Sequence, residues 1–346
     1  MTKHKIQRRI IDRAAAAMLG FVMIITLLLP TSRAQAYFDS DQAVNPERPA
    51  HMEWTVRQTQ TADQEQDTDS TDEEPEEAED AEVLEKEKPE GELSATEILA
   101  NSQLIAHAMG AIDDLRTPNC LEGFLAQYEA GVRVFEADLR LTRDVKNVLH
   151  HDWWYPDWQK GISYTNIPTR EKFVSEKILG QYTPLSFLDL LLLMEQYPDI
   201  CIVTDTKFTE SDIFFIQFDS LLADAHELGL TYLFDRIFVQ VYNKEMYVGL
   251  ENIYPFPHYI YTLYQDKTFD GTADSFREKV AYCAEHDIEG ITIPDYWWRP
   301  SLAKIAEEYG IKVYVHTIND ADKAKELLDS GVSALYSDSL TPADLA

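Results

Sequence analysis

The chain has 346 residues and a formal net charge of −31, from 61 acidic and 30 basic residues. The length allows two domains, but the composition changes along the chain in a way that favours one folded domain behind a long N-terminal segment. No basic patch is present, which argues against a nucleic-acid partner. The three cysteines, Cys120, Cys201 and Cys283, are odd in number and dispersed, so neither a disulfide framework nor a cysteine metal cluster is expected.

Residues 1–36 have the pattern of an export signal. A basic stretch in residues 3–13 precedes an apolar run in residues 14–29, and Ala34-Gln35-Ala36 is a small-x-small cleavage site. We therefore expect an extracellular or cell-envelope protein. The apolar run is short for a membrane span, and both a cleaved signal and a retained membrane anchor stay open.

Residues 37–95 are predicted to be a disordered acidic linker. Between Asp63 and Glu92 there are sixteen Asp or Glu residues and only two lysines, a local net charge of −14. A segment with so much charge and so few aromatic or β-branched residues cannot bury enough apolar surface to fold. We interpret it as a self-repelling spacer that holds the folded domain away from a membrane or cell wall.

From residue 96 to residue 346 the sequence alternates between apolar strand patterns and helix patterns. Eight strands are predicted, at residues 104–108, 133–139, 200–207, 237–242, 258–263, 290–294, 312–317 and 334–337. Helix patterns at 185–196, 211–228, 276–286, 302–309 and 321–330 separate most of them. Eight strands with intervening helices over this length predict an α/β fold, the (β/α)8 TIM barrel. Residues 153–182 interrupt the alternation and are predicted to be an active-site loop insertion.

Ionisable side chains cluster where the first two predicted strands end, which is the catalytic face of such a barrel. His107 ends the first strand, Glu136 and Asp138 lie two apart on the second, and His151 follows the next turn. Strand side chains alternate between faces, so both carboxylates point the same way. Two adjacent anions suit Ca²⁺ or Mg²⁺, and two imidazoles beside such an ion can serve as acid and base. A solvated strand face is the simpler alternative for the carboxylates alone.

As an ordered set, these residues resemble the glycerophosphodiester phosphodiesterase family. That family has a His-Arg-Gly opening, a Glu-Asn-Thr helix start, a Glu-x-Asp strand and a His-Asp pair. His107 matches the opening histidine, Asn119 the asparagine, Glu136 and Asp138 the metal-binding pair, and His151 the second histidine. The resemblance covers about residues 103–342. Ala108 replaces the opening arginine and Pro118 replaces the first glutamate, which leaves the substrate preference open.

The resemblance also assigns roles to residues further along the chain. Asp205 and Lys207 stand where the family has Glu-x-Lys, so Asp205 is expected to be the third metal ligand and Lys207 to hold a phosphate oxygen. An internal salt bridge is the alternative for this pair. Residues 313–319 look like the family's Trp-Thr-Val-Asn strand with His316 in place of the tryptophan, and a structural role for His316 is the simpler interpretation. Residues 331–338 resemble the family's closing Gly-Val and Thr-Asp.

Five residues are expected to contact substrate or phosphate. Lys207 follows from the resemblance, and Asn119 has an alternative role, because Asn119 and Glu122 also fit a helix-capping box. The aromatic residues Trp153, Tyr242 and Trp297 lie near the expected mouth of the barrel and suit a choline, sugar or lipid group. Packing beneath loops explains these aromatic residues equally well.

The resemblance implies a phosphoric diester hydrolase that converts glycerophosphodiesters to glycerol 3-phosphate and an alcohol. One divalent cation, Ca²⁺ or Mg²⁺, would be held by Glu136, Asp138 and Asp205, with His107 and His151 as catalytic acid and base. We expect a monomer near a membrane or cell wall with a small phosphodiester or phospholipid-derived substrate. The alternatives are a phospholipase of C or D type, as in the wider superfamily of phosphatidylinositol-phospholipase-C-like phosphodiesterases, and a non-catalytic binding protein on the same fold.

Overall fold

The computed structural model describes residues 85–89, 91, 93–153, 159–208 and 211–346. The predicted export signal and most of the predicted acidic linker lie outside these residues. Among the described residues, no helix has the length and apolar character that crossing a membrane requires.

Eight parallel strands close into a barrel, so the predicted (β/α)8 fold is confirmed. Closure is given by the first strand, which pairs with the second at one edge and with the last at the other. A further short strand pairs antiparallel with the end of the second. In chain order the strands are β1 (Leu104–Ala106), β2 (Val134–Leu141), β3 (Asn147–Leu149), β4 (Cys201–Asp205), β5 (Ile237–Val241), β6 (His258–Thr262), β7 (Gly290–Pro294), β8 (Lys312–His316) and β9 (Ala334–Ser337).

Helices cover the outside of the barrel and follow the predicted alternation. They are α1 (Ala95–Ala100), α2 (Leu121–Glu129), α3 (Arg170–Ser175), α4 (Phe187–Gln196), α5 (Ser211–Leu228), α6 (Lys244–Ile253), α7 (Ala273–Glu285), α8 (Pro300–Tyr309), α9 (Ala321–Asp329) and α10 (Pro342–Leu345). Several of these helices begin at a residue whose side chain accepts a backbone N–H of the first turn. For example, Ser186 accepts the backbone N–H of Asp189 while the Asp189 carboxylate accepts that of Ser186, a capping box that begins α4.

A hairpin precedes the predicted insertion of residues 153–182, and the strand prediction did not include it. β3 returns antiparallel along the end of β2, with Leu149 opposite Leu139. The insertion contains α3, and its residues Trp153, Ile162, Ile167 and Phe173 form an apolar cluster with Val148 of β3. The described part of the insertion is therefore packed rather than an extended loop.

The N-terminal face of the barrel is closed by α1. Ile98 and Leu99 are buried against the inward-facing side chains of the strands, among them Val203 and Tyr314. The preceding residues are also attached to the barrel, since the Lys86 N–H donates to the Gly229 carbonyl at 2.8 Å and Lys86 Nζ lies 2.6 Å from Glu195. Residues 85–89 belong to the stretch predicted to be linker, residues 37–95, and the boundary at residue 95 stays a prediction. In this described part of the stretch, Lys86 and Lys88 pair with Glu195 and Asp235 of the folded domain.

Candidate active site

The alternation of strand side chains brings the candidate residues together at the C-terminal end of the barrel. Val134 and Val203 face the barrel interior near its N-terminal end. Two positions further along each strand, Glu136 and Asp205 therefore also face inward, as does Asp138. Asp138 is the register partner of Asp205 across the β2–β4 pair. The prediction that Glu136 and Asp138 share one face is confirmed, because both carboxylates belong to one buried group together with Asp205.

The three carboxylates form a compact, buried group that fits a divalent cation. Glu136, Asp138 and Asp205 each offer an oxygen within 4.8 Å of the others, and the three residues are no more than 5% exposed. One Glu136 oxygen accepts the Ala108 N–H at 2.6 Å, but the other is buried without a hydrogen-bond partner in the described residues. Burial, together with the charge of Asp138, raises the pKa of Glu136 to about 8. An all-oxygen donor set with this excess of negative charge suits Ca²⁺ or Mg²⁺.

Lys207 and Tyr242 offset part of this negative charge. Lys207 Nζ lies 2.5 Å from Asp138 and also contacts the carboxylate of Asp205. The Tyr242 hydroxyl donates to Asp205 and accepts the Lys207 backbone N–H at 2.9 Å. Both residues were expected to contact substrate or phosphate. In the structure Lys207 makes the alternative internal salt bridge, and the fully buried Tyr242 positions Asp205 rather than lining the opening.

Asn119 orients Asp138 from the loop before α2. Its amide nitrogen donates to Asp138 Oδ2 at 2.8 Å, and its amide oxygen accepts the Asp138 backbone N–H at 3.1 Å. The proposed capping box of Asn119 and Glu122 is wrong. The helix begins one residue later, so Cys120 is the N-cap, while Glu122 accepts from Thr183. The amide of Asn119 is buried beside a carboxylate, which is a stronger partner than the helix end.

His107 is held by a carboxylate that the sequence analysis did not place in the site. Its Nδ1 lies 2.7 Å from Asp338 Oδ1, and its Nε2 lies 3.9 Å from Glu136. Asn319 holds Asp338 in turn, because its amide nitrogen donates to Asp338 Oδ2 at 2.6 Å. Burial disfavours the charged imidazole, but the hydrogen bond to Asp338 and the charges of Glu136 and Asp138 outweigh it. They raise the pKa of His107 to about 9.

The pKa of His151 is shifted in the opposite direction from that of His107. Burial lowers the pKa of this imidazole, and the positive charge of Lys207 adds to the effect, although Asp138 opposes it. The Arg140 Nε–H donates to the His151 carbonyl at 3.1 Å and holds the backbone here. At neutral pH the mouth therefore contains one charged imidazole, His107, and one neutral imidazole, His151.

The aromatic candidates do not share one environment. Trp153 is buried, with its ring 4.6 Å from that of His150 and 5.9 Å from that of Phe173, so it supports the backbone before His151 rather than facing the opening. Trp297 lies in a short helix after β7 with its ring 5.1 Å from that of Phe269. For Trp153 the packing alternative describes the structure, because its apolar neighbours on the insertion enclose the ring.

Sequence reasoning missed Asp338, Asn319 and the role of Tyr242. The closing Ser337-Asp338 pair was recognised, but nothing local shows that its carboxylate reaches His107, which is 231 residues earlier. A signal was available: Asp338 follows the last strand of a closed barrel, and the last strand pairs with the first.

Comparison with known proteins agrees with this fold. No protein-family model matches the sequence, and no curated protein sequence matches it. Among solved structures, an Oleispira antarctica phosphodiesterase in complex with the product sn-glycerol-3-phosphate is 19% identical, with a TM-score of 0.57 over 71% of this chain and 96% of that one. A glycerophosphodiester phosphodiesterase from Parabacteroides distasonis is 16% identical, with a TM-score of 0.54 over 69% of this chain and 93% of that one. One from Agrobacterium tumefaciens is 15% identical, with a TM-score of 0.51 over 70% and 97%.

These likenesses define the class of fold, a TIM barrel of the kind found in solved glycerophosphodiester phosphodiesterases. The fold expected from the sequence resemblance is thereby confirmed. At such low identity the likeness is one of fold, and the chemistry depends on the residues of the mouth described above.

Proposed function

We propose that this protein is an exported, metal-dependent phosphodiesterase that hydrolyses glycerophosphodiesters to glycerol 3-phosphate and an alcohol. One observation carries the proposal. Three buried carboxylates, two histidines and a lysine converge at the mouth of this barrel. The fold likeness adds support, because one similar structure contains sn-glycerol-3-phosphate as product. The signal pattern of residues 1–36 supports export.

The carboxylate group would hold one divalent cation, Ca²⁺ or Mg²⁺. Such an ion, when bound by Glu136, Asp138 and Asp205, supplies stabilisation of negative charge on the phosphoryl group. Asn119 and Tyr242 fix the orientation of two of these carboxylates through the hydrogen bonds described above. Neither residue needs to touch the substrate to affect its turnover.

The two histidines are suited to complementary proton transfers. Asp338 occupies Nδ1 of His107, which leaves Nε2 on the side of the carboxylates as the atom that gives or takes a proton. One imidazole would take the proton of a glycerol hydroxyl of the substrate as its oxygen bonds to phosphorus, and the other would give a proton to the alcohol whose bond to phosphorus breaks. Water would then open the resulting cyclic phosphate to glycerol 3-phosphate, with the two imidazoles exchanging roles. Because the two rings differ in charge at neutral pH, acid and base are both present before the substrate binds.

The phosphate would depend on local positive charge. The chain is strongly acidic overall, so long-range steering of an anionic substrate is unfavourable and is screened beyond about 10 Å at moderate salt. Ala108 stands where the family's arginine is expected, so the phosphate would depend on Lys207 and His107, the cationic side chains that pair with the carboxylates of the described mouth. Lys207 would compensate the phosphate once a metal ion takes over its contacts with Asp138 and Asp205.

The test is hydrolysis by the purified protein of a panel containing glycerophosphocholine, glycerophosphoethanolamine and lysophosphatidylcholine, with Mg²⁺ or Ca²⁺. We expect release of glycerol 3-phosphate that is lost in His107→Ala and Glu136→Ala. His258→Ala is the matched control, because His258 pairs with Glu289 at 2.8 Å at the start of β6, away from the mouth. Activity that survives in His107→Ala or in excess chelator contradicts the proposal. Cleavage of the lysophospholipid alone would favour the phospholipase alternative.

A further inference from the structure

His316 at the end of β8 belongs to the inner surface of the barrel mouth. Tyr314, two positions earlier, is part of the inward-facing core, so His316 also faces inward. Its ring centre lies 5.5 Å from that of Tyr264 and 6.1 Å from that of Tyr336, both in edge-on arrangements. The sequence analysis favoured a structural role for this residue, but these contacts are made by the ring and leave its polar atoms unexplained.

The Nε2 atom of His316 is buried and has no hydrogen-bond partner in the described part of the chain. Its aromatic neighbour behaves differently, since the Tyr336 hydroxyl donates to Gln240 at 3.1 Å. A buried polar atom without a partner costs free energy, and such an atom in a site points to a ligand that completes it.

His316 lies across the mouth from Lys207, which would hold the phosphate. In the closed barrel, β8 is four strands away from β4 in either direction, which places His316 opposite Asp205 and Lys207. The distance is still short enough for the charges of His107, Asp205 and Lys207 to act on its ring. Burial and then the positive charge of His107 lower the pKa of His316 to about 4, so the imidazole is neutral at neutral pH.

We propose that His316 is a specificity-determining residue that binds a hydroxyl group on the glycerol part of the substrate through Nε2. A neutral imidazole nitrogen suits a neutral hydroxyl, which can donate or accept, whereas the cationic Lys207 across the mouth suits the phosphate. A ligand whose phosphate lies near Lys207 directs its glycerol carbons toward β8. This inference rests on the proposed function, because it assumes that the mouth binds a glycerol phosphate.

The test compares two ligands that share the phosphate but differ in hydroxyl groups, glycerol 3-phosphate and methyl phosphate. Their affinities for the full-length protein are measured by calorimetry in Mg²⁺, for wild type, His316→Phe and His316→Gln. Loss of one neutral hydrogen bond predicts about tenfold weaker binding of glycerol 3-phosphate to His316→Phe, with methyl phosphate unchanged. His316→Gln keeps a polar atom near the Nε2 position, so we expect it to recover part of the loss.

His286→Phe is the matched control, because His286 also packs edge-on against a tyrosine, Tyr247, but at the end of α7 outside the mouth. It should leave both affinities unchanged. Unchanged binding of glycerol 3-phosphate by His316→Phe, or an equal loss for both ligands, overturns the role of His316 alone. If the wild-type protein binds neither ligand, the proposed function is overturned and this inference falls with it.

Discussion

Replacing Asp338 with asparagine tests whether the carboxylate behind His107 is needed for turnover. Each Asp338 oxygen accepts a hydrogen bond, one from His107 Nδ1 at 2.7 Å and the other from the Asn319 amide at 2.6 Å. An asparagine side chain offers only one such oxygen. In Asp338→Asn an amide NH₂ therefore faces either the His107 ring or the NH₂ of Asn319.

The expected loss follows from the type of bond removed. A short hydrogen bond between a charged imidazole and a carboxylate contributes about 2 kcal/mol, which corresponds to roughly a 30-fold decrease in kcat/KM. The pKa of His107 should also fall, because the bond to Asp338 is the largest influence that raises it. Release of glycerol 3-phosphate measures the first effect, and an NMR titration of the histidine ring protons measures the second.

The matched control for this prediction is Glu289→Gln. Glu289 also accepts from a histidine, His258, at 2.8 Å, but it lies at the opposite end of the barrel. We expect near wild-type kcat/KM for this variant. Full activity of Asp338→Asn, or an equal decrease in both variants, would refute the assignment of Asp338 as the residue that positions His107.

Three further outcomes are expected. Mg²⁺ or Ca²⁺ at about 100 times its Kd should stabilise the wild-type protein against thermal unfolding by about 2.7 kcal/mol. Glu136→Gln should abolish this gain. Equal stabilisation of the wild type and of Glu136→Gln would contradict the cation site. Tyr242→Phe should lower the free energy of unfolding, measured in urea, by about 1–2 kcal/mol, because Asp205 and the Lys207 N–H each lose the Tyr242 hydroxyl as a partner. An unchanged free energy of unfolding would count against the hydrogen bonds of Tyr242. Burial and the positive charge of Arg140 both lower the pKa of His150, to about 3. Between pH 6.5 and 3 the unfolded chain therefore binds a proton at this histidine, whereas the folded chain does not. Stability should therefore fall as the pH falls through this range, by up to about 1.4 kcal/mol per pH unit, and His150→Phe should make that dependence shallower in denaturation at pH 7 and 4.5; an unchanged slope would refute it.

Much of the fold follows from local sequence pattern. The eight strands are predicted from apolar runs, and the shared face of Glu136 and Asp138 is predicted from the two-residue alternation of a strand. Both patterns involve only residues that are close together in the sequence. The capping box at Asn119 failed for a related reason. A local pattern predicts the local partner, but a buried carboxylate contributed by β2 competes more strongly for the same amide.

Other parts of the candidate site depend on contacts between distant segments. The bond of Tyr242 to Asp205 and that of His107 to Asp338 require the order and register of the strands, which no short stretch of sequence contains. The contacts of residues 85–89 also depend on distant segments. Their composition is that of a disordered segment, and their partners, among them Glu195 and Gly229, lie far along the chain.

Helix α1 covers the N-terminal face of the barrel, so this face gives no access to the carboxylates. The described residues just before α1 lie on the same covered side, where Lys86 contacts Gly229 and Glu195. A small molecule that diffuses to the carboxylates therefore arrives at the opposite face, and it does not have to pass residues 85–89.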